Sequence, residues 1–420
     1  VESAARNRFH GGVKRPTRSP AQAAARARRA APRPRATLER SWALALLGIF
    51  ALALIWRLAY LGRLAASPLS GSLLDDERSY WDWATYLLEH GFRGTNPFFL
   101  GPLYPYLLAL VRLFAGSGIP AVLTVQACFG SLAAVLLADA ARRFMRPSVA
   151  IGVGVVAALY QMSVFFDGLI LMESPMYVLE AALLWQIARA ANVRRGRVSF
   201  ALMGLTVGLI AECRGTGAIL LALPLVAALW IADDTPARAT NDAAARATRT
   251  AAARAPVPVV GRSGRVLAIA LGLALAILPS LSWNYSKTHE WIPISYNFGY
   301  NLYVGNNPAA NGGFVWTSGT QGLGGTEALR PDGGAELDGR EYLNKTRGLT
   351  LSPAQSSRYW ASEALEFVRR QPARVGCLLE PLRRLLILQL PIVGFFVIIQ
   401  HRHFPALSSP PRRGRSSGAA

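Results

Sequence analysis

WALALLGIFALALIWRLAYL, residues 42–61, holds twenty residues with a single charge, Arg57, near its end. A helix needs about 20 predominantly apolar residues to cross the hydrocarbon core of a bilayer, so this run predicts a transmembrane helix and sets the fold class for what surrounds it. The whole chain agrees: over its 420 residues it is 52% apolar, with a mean hydropathy of +0.27 that includes polar tails. That is too apolar for an ordinary soluble domain and fits a multi-span membrane protein. The net charge of +21 would suggest nucleic acid if it were spread over a folded surface. It is concentrated in a few segments instead.

Upstream of the run, the first forty residues scatter arginines from Arg6 to Arg40 and Lys14 among Ala, Pro and Ser without helical or strand periodicity. They read as a disordered tail kept in the cytoplasm. The rival, a cleavable targeting peptide, is disfavoured because the apolar run is long enough to span and no small-residue cleavage site stands out. The chain begins with Val1 and ends in the basic stretch SSPPRRGRSSGAA, which looks like a cytoplasmic tail or a truncation.

Downstream, the basic loops fix the parity of the remaining spans, because cytoplasmic loops carry the excess of Lys and Arg. With the Arg-rich tail inside, Arg63 faces out. Residues 119–137 form a full span ending at Arg142, Arg143 and Arg146, which places everything from Arg63 to Gly118 outside. Residues 102–114 (PLYPYLLALVRLF) are too few to span, so they predict an interfacial or re-entrant helix. Further spans follow at 149–166, 175–190, 200–211, 218–231, 266–283 and 375–399, with basic clusters always on one side. The expectation is an all-α polytopic membrane protein with about eight transmembrane helices, interfacial helices in the first outer loop and a small outer-face domain. Its divisions are a basic tail (1–40), a helical membrane region (41–283), an outer segment (284–374), a last transmembrane helix (375–400) and a second basic tail (401–420).

Three outer loops then hold charges beside span ends. The first contains LLDDERSYWDWATYLLEHG, residues 73–91, with Asp75, Asp76 and Glu77 ahead of Tyr80, Trp83, Ala84 and Leu87 at helical spacing. This predicts a short amphipathic helix with acids at its N-terminus, where the helix dipole favours them. The second holds Asp167 and Glu173, and the third Glu212 and Arg214. If the spans bundle, these charges converge on one membrane-edge cavity, where a carboxylate can serve as general base and an arginine can hold a phosphate through its planar fork. The alternative is that they are solvated loop residues. Trp81 and Trp83 fit either interface anchoring or stacking on a sugar.

In the outer segment, residues 296–313 (YNFGYNLYVGNNPAANGG) read as turns, and Tyr359, Trp360, Ala364 and Phe367 as one helix stopped near Pro372. Cys128, Cys213 and Cys377 have no metal-type spacing. His90 and His289 lack ligand-spaced partners, which favours structural or solvated roles and predicts no metal site. Sequons start at Asn284 and Asn344.

The sequence Asp76-Glu77-x-x-Tyr80, the following GPLYPYLLALVRLFAG, Glu173 in LILMESPMY, Arg214 in AECRGTGAILLALP and SYNFGYNLYVGNNPAANG from Ser295 together resemble membrane glycosyltransferases of the GT-C type. The resemblance is to glycosyltransferase family 39, the protein O-mannosyltransferase and aminoarabinose-transferase-like group. It implies an inverting transfer of a sugar from a polyprenyl-phosphate donor to an acceptor hydroxyl on the periplasmic face of the inner membrane, within region 41–283 and with no metal cluster required. It implies Asp76 as general base, Glu77 as the residue orienting the acceptor or balancing charge, and Glu173 as the acid of the second outer loop. Arg214 is implied at the donor phosphate, with Arg78 and Arg93 as further candidates and Tyr80 as part of the motif. Gly215 stands where the family usually has Pro. The implied partners are the lipid-linked donor, membrane lipids and an acceptor protein, lipid or glycan, and not nucleic acid. Two other functions fit a polytopic basic chain: a lipid-linked sugar transporter or flippase, which needs charges inside its spans, and a non-catalytic scaffold whose tails bind anionic lipid.

Overall fold

A computed structural model describes residues 35–68, 71–73, 75–92, 94–192, 196–230, 261–311 and 338–378. Within them the regular elements are helices: α1 (Arg35–Ala65), α2 (Asp75–Glu89), α3 (Leu103–Phe114), α4 (Ile119–Ala141), α5 (Pro147–Leu159), α6 (Gln161–Asp167), α7 (Glu173–Asn192) and α8 (Arg197–Cys213). A 3-10 helix (Gly215–Leu221), α9 (Ala222–Trp230), α10 (Arg262–Thr288), α11 (Phe298–Gly305), α12 (Arg340–Arg347) and α13 (Pro353–Arg370) complete the order.

Three described helices are long and apolar enough to cross a membrane: residues Glu39–Ala65 of α1, α4 and α10. Helices α5 and α6, bent by 45° about Tyr160, make a fourth if taken as one span. The structure thus supports a multi-pass helical membrane protein with three or four spans by length and composition, against the eight read from the sequence. The reasons are local. Helix α7 has the length but carries Glu173, Glu180 and Arg189, α8 stops at 17 residues, and Gly215–Trp230 is a short 3-10 and α pair. The expected span at 375–400 lies almost wholly outside the described residues.

On α10, Leu267, Leu271, Leu275 and Leu278 form an exposed apolar stripe, the pattern of a surface turned to lipid. The opposite side of α10 meets α8 through small residues. A Cβ added to Gly204 would lie 2.0 Å from the Ile269 carbonyl oxygen, and one on Gly272 1.8 Å from that of Ala201. Only glycine permits this approach, and close backbone packing is what holds helices together where lipid offers no hydrophobic drive. Helix α4 likewise buries a small-residue face, Ala127, Gly130, Ser131, Ala134 and Ala138 among it, and packs on α5 and α7.

Helix α2 buries Tyr80, Trp83, Ala84 and Leu87, the four positions whose spacing predicted its apolar face. They join Phe98, Tyr104, Leu108, Val122, Ile170 and Met172 in one cluster. Burying each large side chain there is worth roughly 1.5–3 kcal/mol, which fixes α2 against α3 and the loop before α7. At 12 residues, α3 is about 18 Å long, well short of the ~30 Å hydrocarbon core. This agrees with the expectation that it does not span.

Within residues 284–374, α13 starts with a capping box, Ser352 with Gln355, and buries Trp360, Ala364 and Phe367. The turns expected at 296–313 are corrected in part, since residues 298–305 form α11. Tyr300 and Val304, one helical turn apart, pack with Leu343 and Trp360, and this burial overrides the local preference of Gly and Asn. Asn284 is fully buried, donating to the carbonyls of Ile292 and Ile294 and accepting from the Phe98 amide at 2.8 Å. It acts as a structural tie, which closes it as a glycosylation acceptor in the folded state.

Candidate functional site

The first turn of α2 presents Asp76 and Arg78 as exposed side chains and Glu77 as half-buried. Glu77 Oε1 accepts from the Ile170 amide at 2.8 Å, in the loop between α6 and α7. That loop delivers Glu173, the first residue of α7. Arg214 follows the last turn of α8 in extended conformation (φ −147°, ψ 116°), and its Nη2 donates to Glu173 Oε1 at 3.0 Å. Glu173 Oε2 is buried without a hydrogen-bond partner.

Tyr80 stands at the centre. It is 1% exposed, its hydroxyl donates to Met172 Sδ at 3.5 Å, and its ring meets Tyr104 edge-on at 5.1 Å. Burial pushes the ionisation of the Tyr80 hydroxyl up, Asp76 adds to this, Arg214 opposes it and Glu173 adds again. The charges of three chain stretches, residues 76, 173 and 214, therefore act on one buried hydroxyl. Tyr104 is raised in the same way, by burial first and then by Tyr80, Glu173 and Glu77. Desolvation penalises the charged form of both phenols, so they stay neutral and serve as fixed hydrogen-bonding and packing groups.

Of the sequence-derived candidates, Arg214 and Glu173 are paired directly, Glu77 binds the loop that leads to Glu173, Tyr80 donates to Met172 of that loop, and Asp76 lies in the first turn of α2 beside Glu77. Arg78 is exposed, and Arg93 lies outside the described residues. Two outer-loop acids are corrected. Asp167 is 1% exposed and paired with Arg57, and Glu212 is 4% exposed and accepts from Ser280 Oγ at 2.6 Å. Both fall within the helices they had been expected to follow, since α6 runs to Asp167 and α8 to Cys213, so their side chains turn towards neighbouring helices. Trp83 is also corrected, being neither anchor nor sugar platform but core, tilted on Phe98 at 5.9 Å. Trp81 supports the Arg112 guanidinium, 4.0 Å from its ring centre.

The residues whose part was missed from sequence are Arg57 and Gln126. Tyr104 donates to Gln126 Oε1 at 2.7 Å, and Gln126 Nε2 donates to the carbonyl oxygens of Asp167 and Leu169 at 3.2 and 2.7 Å. A signal existed for Arg57, because a lone charge in an apolar span is costly enough to demand a partner. Beside Glu173 lies a cavity of about 300 Å³ walled by Tyr160, Ser163, Phe166, Ser174 and Tyr177 among others. Among the described residues no group of three or more His, Cys, Asp or Glu side chains is placed to hold a metal ion.

Residues 97–247 match the family described as dolichyl-phosphate-mannose-protein mannosyltransferase. The match supports a membrane protein of the glycosyltransferase kind. It spans a little over a third of the chain, from the approach to α3 past the end of α9. Glu173 and Arg214 fall inside it, whereas Asp76, Glu77, Arg78, Tyr80 and Arg93 precede it. No curated protein and no solved structure matches the chain.

Proposed function

We propose that the protein is an inverting glycosyltransferase that moves a sugar from a polyprenyl-phosphate donor to an acceptor hydroxyl, with its site on the non-cytoplasmic face and its N-terminus inside. The observation that carries this is the Arg214–Glu173 ion pair at 3.0 Å, both partners within the matched segment, beside the loop whose Ile170 amide is held by Glu77 of α2. Asp76 is exposed at the start of α2 and is assigned as the base that takes the proton of the acceptor hydroxyl. Glu77 is held by the Ile170 amide and is assigned to orient the acceptor.

Arg214 is assigned to the donor phosphate. The donor is a phosphodiester that departs as polyprenyl phosphate, so the cation's task is to stabilise charge that develops on the phosphate as the glycosidic bond breaks. Its present partner, Glu173, leaves it available: the pair's side chains are 50% and 25% exposed, and an ion pair of that kind is worth only about 0–1 kcal/mol. A phosphate offering bidentate, charge-assisted bonds competes well for the same fork.

The test is to reconstitute the protein in vesicles with a labelled polyprenyl-phosphate sugar and follow the label. Label arriving on an acceptor supports the transferase. Label that crosses the bilayer still attached to its lipid would favour a flippase, and label that stays in place a scaffold.

A further inference from the structure

We infer that Arg57 and Asp167 are positioning residues for this site, acting from inside the helix bundle on the loop that holds Glu77 and carries Glu173. The inference rests on the transferase assignment for its functional meaning, and on geometry alone for its mechanics. Arg57 is 0% exposed. Its Nε donates to Asp167 Oδ2 at 2.6 Å, its Nη1 to the Ala158 carbonyl at 2.8 Å and its Nη2 to Ser163 Oγ at 3.0 Å. Ala158 and Ser163 flank the bend at Tyr160. A bend leaves a last-turn carbonyl without its helical donor, and Arg57 supplies one.

Asp167 relays the constraint. Its Oδ1 accepts from Ser174 Oγ at 2.5 Å, so one carboxylate ties the residue before the loop to the residue just after Glu173. Between these ends, Gln126 holds the carbonyls of 167 and 169 and the Ile170 amide meets Glu77. The pair also dictates a residue on α4. A Cβ on Gly130 would lie 2.2 Å from Asp167 Oδ2 and 2.5 Å from Arg57 Nε, so glycine is the space the ion pair occupies. Alanine is the better helix former; a defect in Gly130→Ala therefore reports the pair and not helix propensity.

The test uses the full-length protein in lipid nanodiscs. Hydrogen exchange of residues 168–172 is compared in wild type, Gly130→Ala and Arg57→Gln, with residues 201–211 of α8 as the internal control. The expected result is at least tenfold faster exchange in 168–172 with the control unchanged, together with at least a tenfold fall in kcat of transfer and less than a twofold change in KM for the labelled donor, whose proposed contact, Arg214, directly follows α8. Unchanged exchange in 168–172 overturns the inference, as does faster exchange with wild-type kcat. If either variant loosens α8 as well, Asp167→Asn, which keeps size and removes charge, is held to the same criteria. Wild type that transfers no sugar would defeat the proposed function, while the exchange comparison still decides the positioning.

Discussion

Two arginine–carboxylate pairs, whose acids Asp167 and Glu173 are six residues apart in the chain, have opposite characters. Arg57 and Asp167 meet at 2.6 Å with side chains 0% and 2% exposed; Arg214 and Glu173 meet at 3.0 Å half in the open. Coulomb attraction at these separations would be similar in a uniform medium, so burial makes the difference. In the buried pair each charge has given up water, and removing one partner strands the other, at a cost of about 3–5 kcal/mol. In the exposed pair, water and ions take over when a partner leaves. The lesson is that charge near a membrane span does not by itself mark a ligand site. The pair that can be opened cheaply is the one suited to exchange partners with a substrate, and the closed pair suits holding a loop.

The widest separation between the two comes from alanine at the acids. Asp167→Ala is expected to cost about 3–5 kcal/mol of stability in a denaturant titration, whereas Glu173→Ala is expected to cost about 1 kcal/mol or less; equal losses would erase the distinction. A second effect concerns ligand affinity. Arg214→Ala is expected to weaken binding of a polyprenyl-phosphate donor by about 1.5–3 kcal/mol, the usual worth of a hydrogen bond to a charged group, with little change in unfolding. An unchanged donor affinity would remove Arg214 from the site.

A third pair, within residues 284–374, sharpens the comparison through pH. Arg340 Nε lies 2.7 Å from Asp338 Oδ2, yet burial outweighs the arginine and pushes the Asp338 carboxyl up to about 7. A raised acid binds its proton more tightly folded than unfolded, so its contribution to stability is full below the ordinary carboxylate range and is lost as the pH rises through about 7. Exchange protection of α13 should therefore be greater at pH 5 than at pH 8. Asp338→Asn should flatten the difference, and a slope that survives it would assign the effect elsewhere.

Much of the packing was legible because it obeys periodicity within one helix. Tyr80, Trp83, Ala84 and Leu87 on α2, and Trp360, Ala364 and Phe367 on α13, are buried as their spacing required. What periodicity does not carry is the partner across a helix interface. Asp167 and Glu212 look like loop acids in sequence because apolar runs end just before them, but the helices continue through them and direct them at Arg57 and Ser280. Hydropathy reads eight spans where three or four described helices pass on length and composition, because α8 and residues 215–230 form only short apolar helices. Residues 298–305 show the reverse error, a helix hidden under turn-forming Gly and Asn until Trp360 supplies something to bury against. At the site, the residues that converge were legible as types in separate loops. The Arg57–Asp167 brace beneath them, and the Gln126 side chain that holds the loop carbonyls, were not.

The central claim is that Asp76 takes a proton from the acceptor that Glu77 orients, while Arg214 holds the donor phosphate. Its most direct test compares wild type with Asp76→Asn in vesicles charged with labelled polyprenyl-phosphate sugar. The prediction is transfer by wild type and a loss of at least a hundredfold in the variant, with equal protein in the membrane and equal donor binding. General base catalysis contributes about 10²–10⁴-fold, which sets that threshold. Transfer by Asp76→Asn at near the wild-type rate would contradict the account.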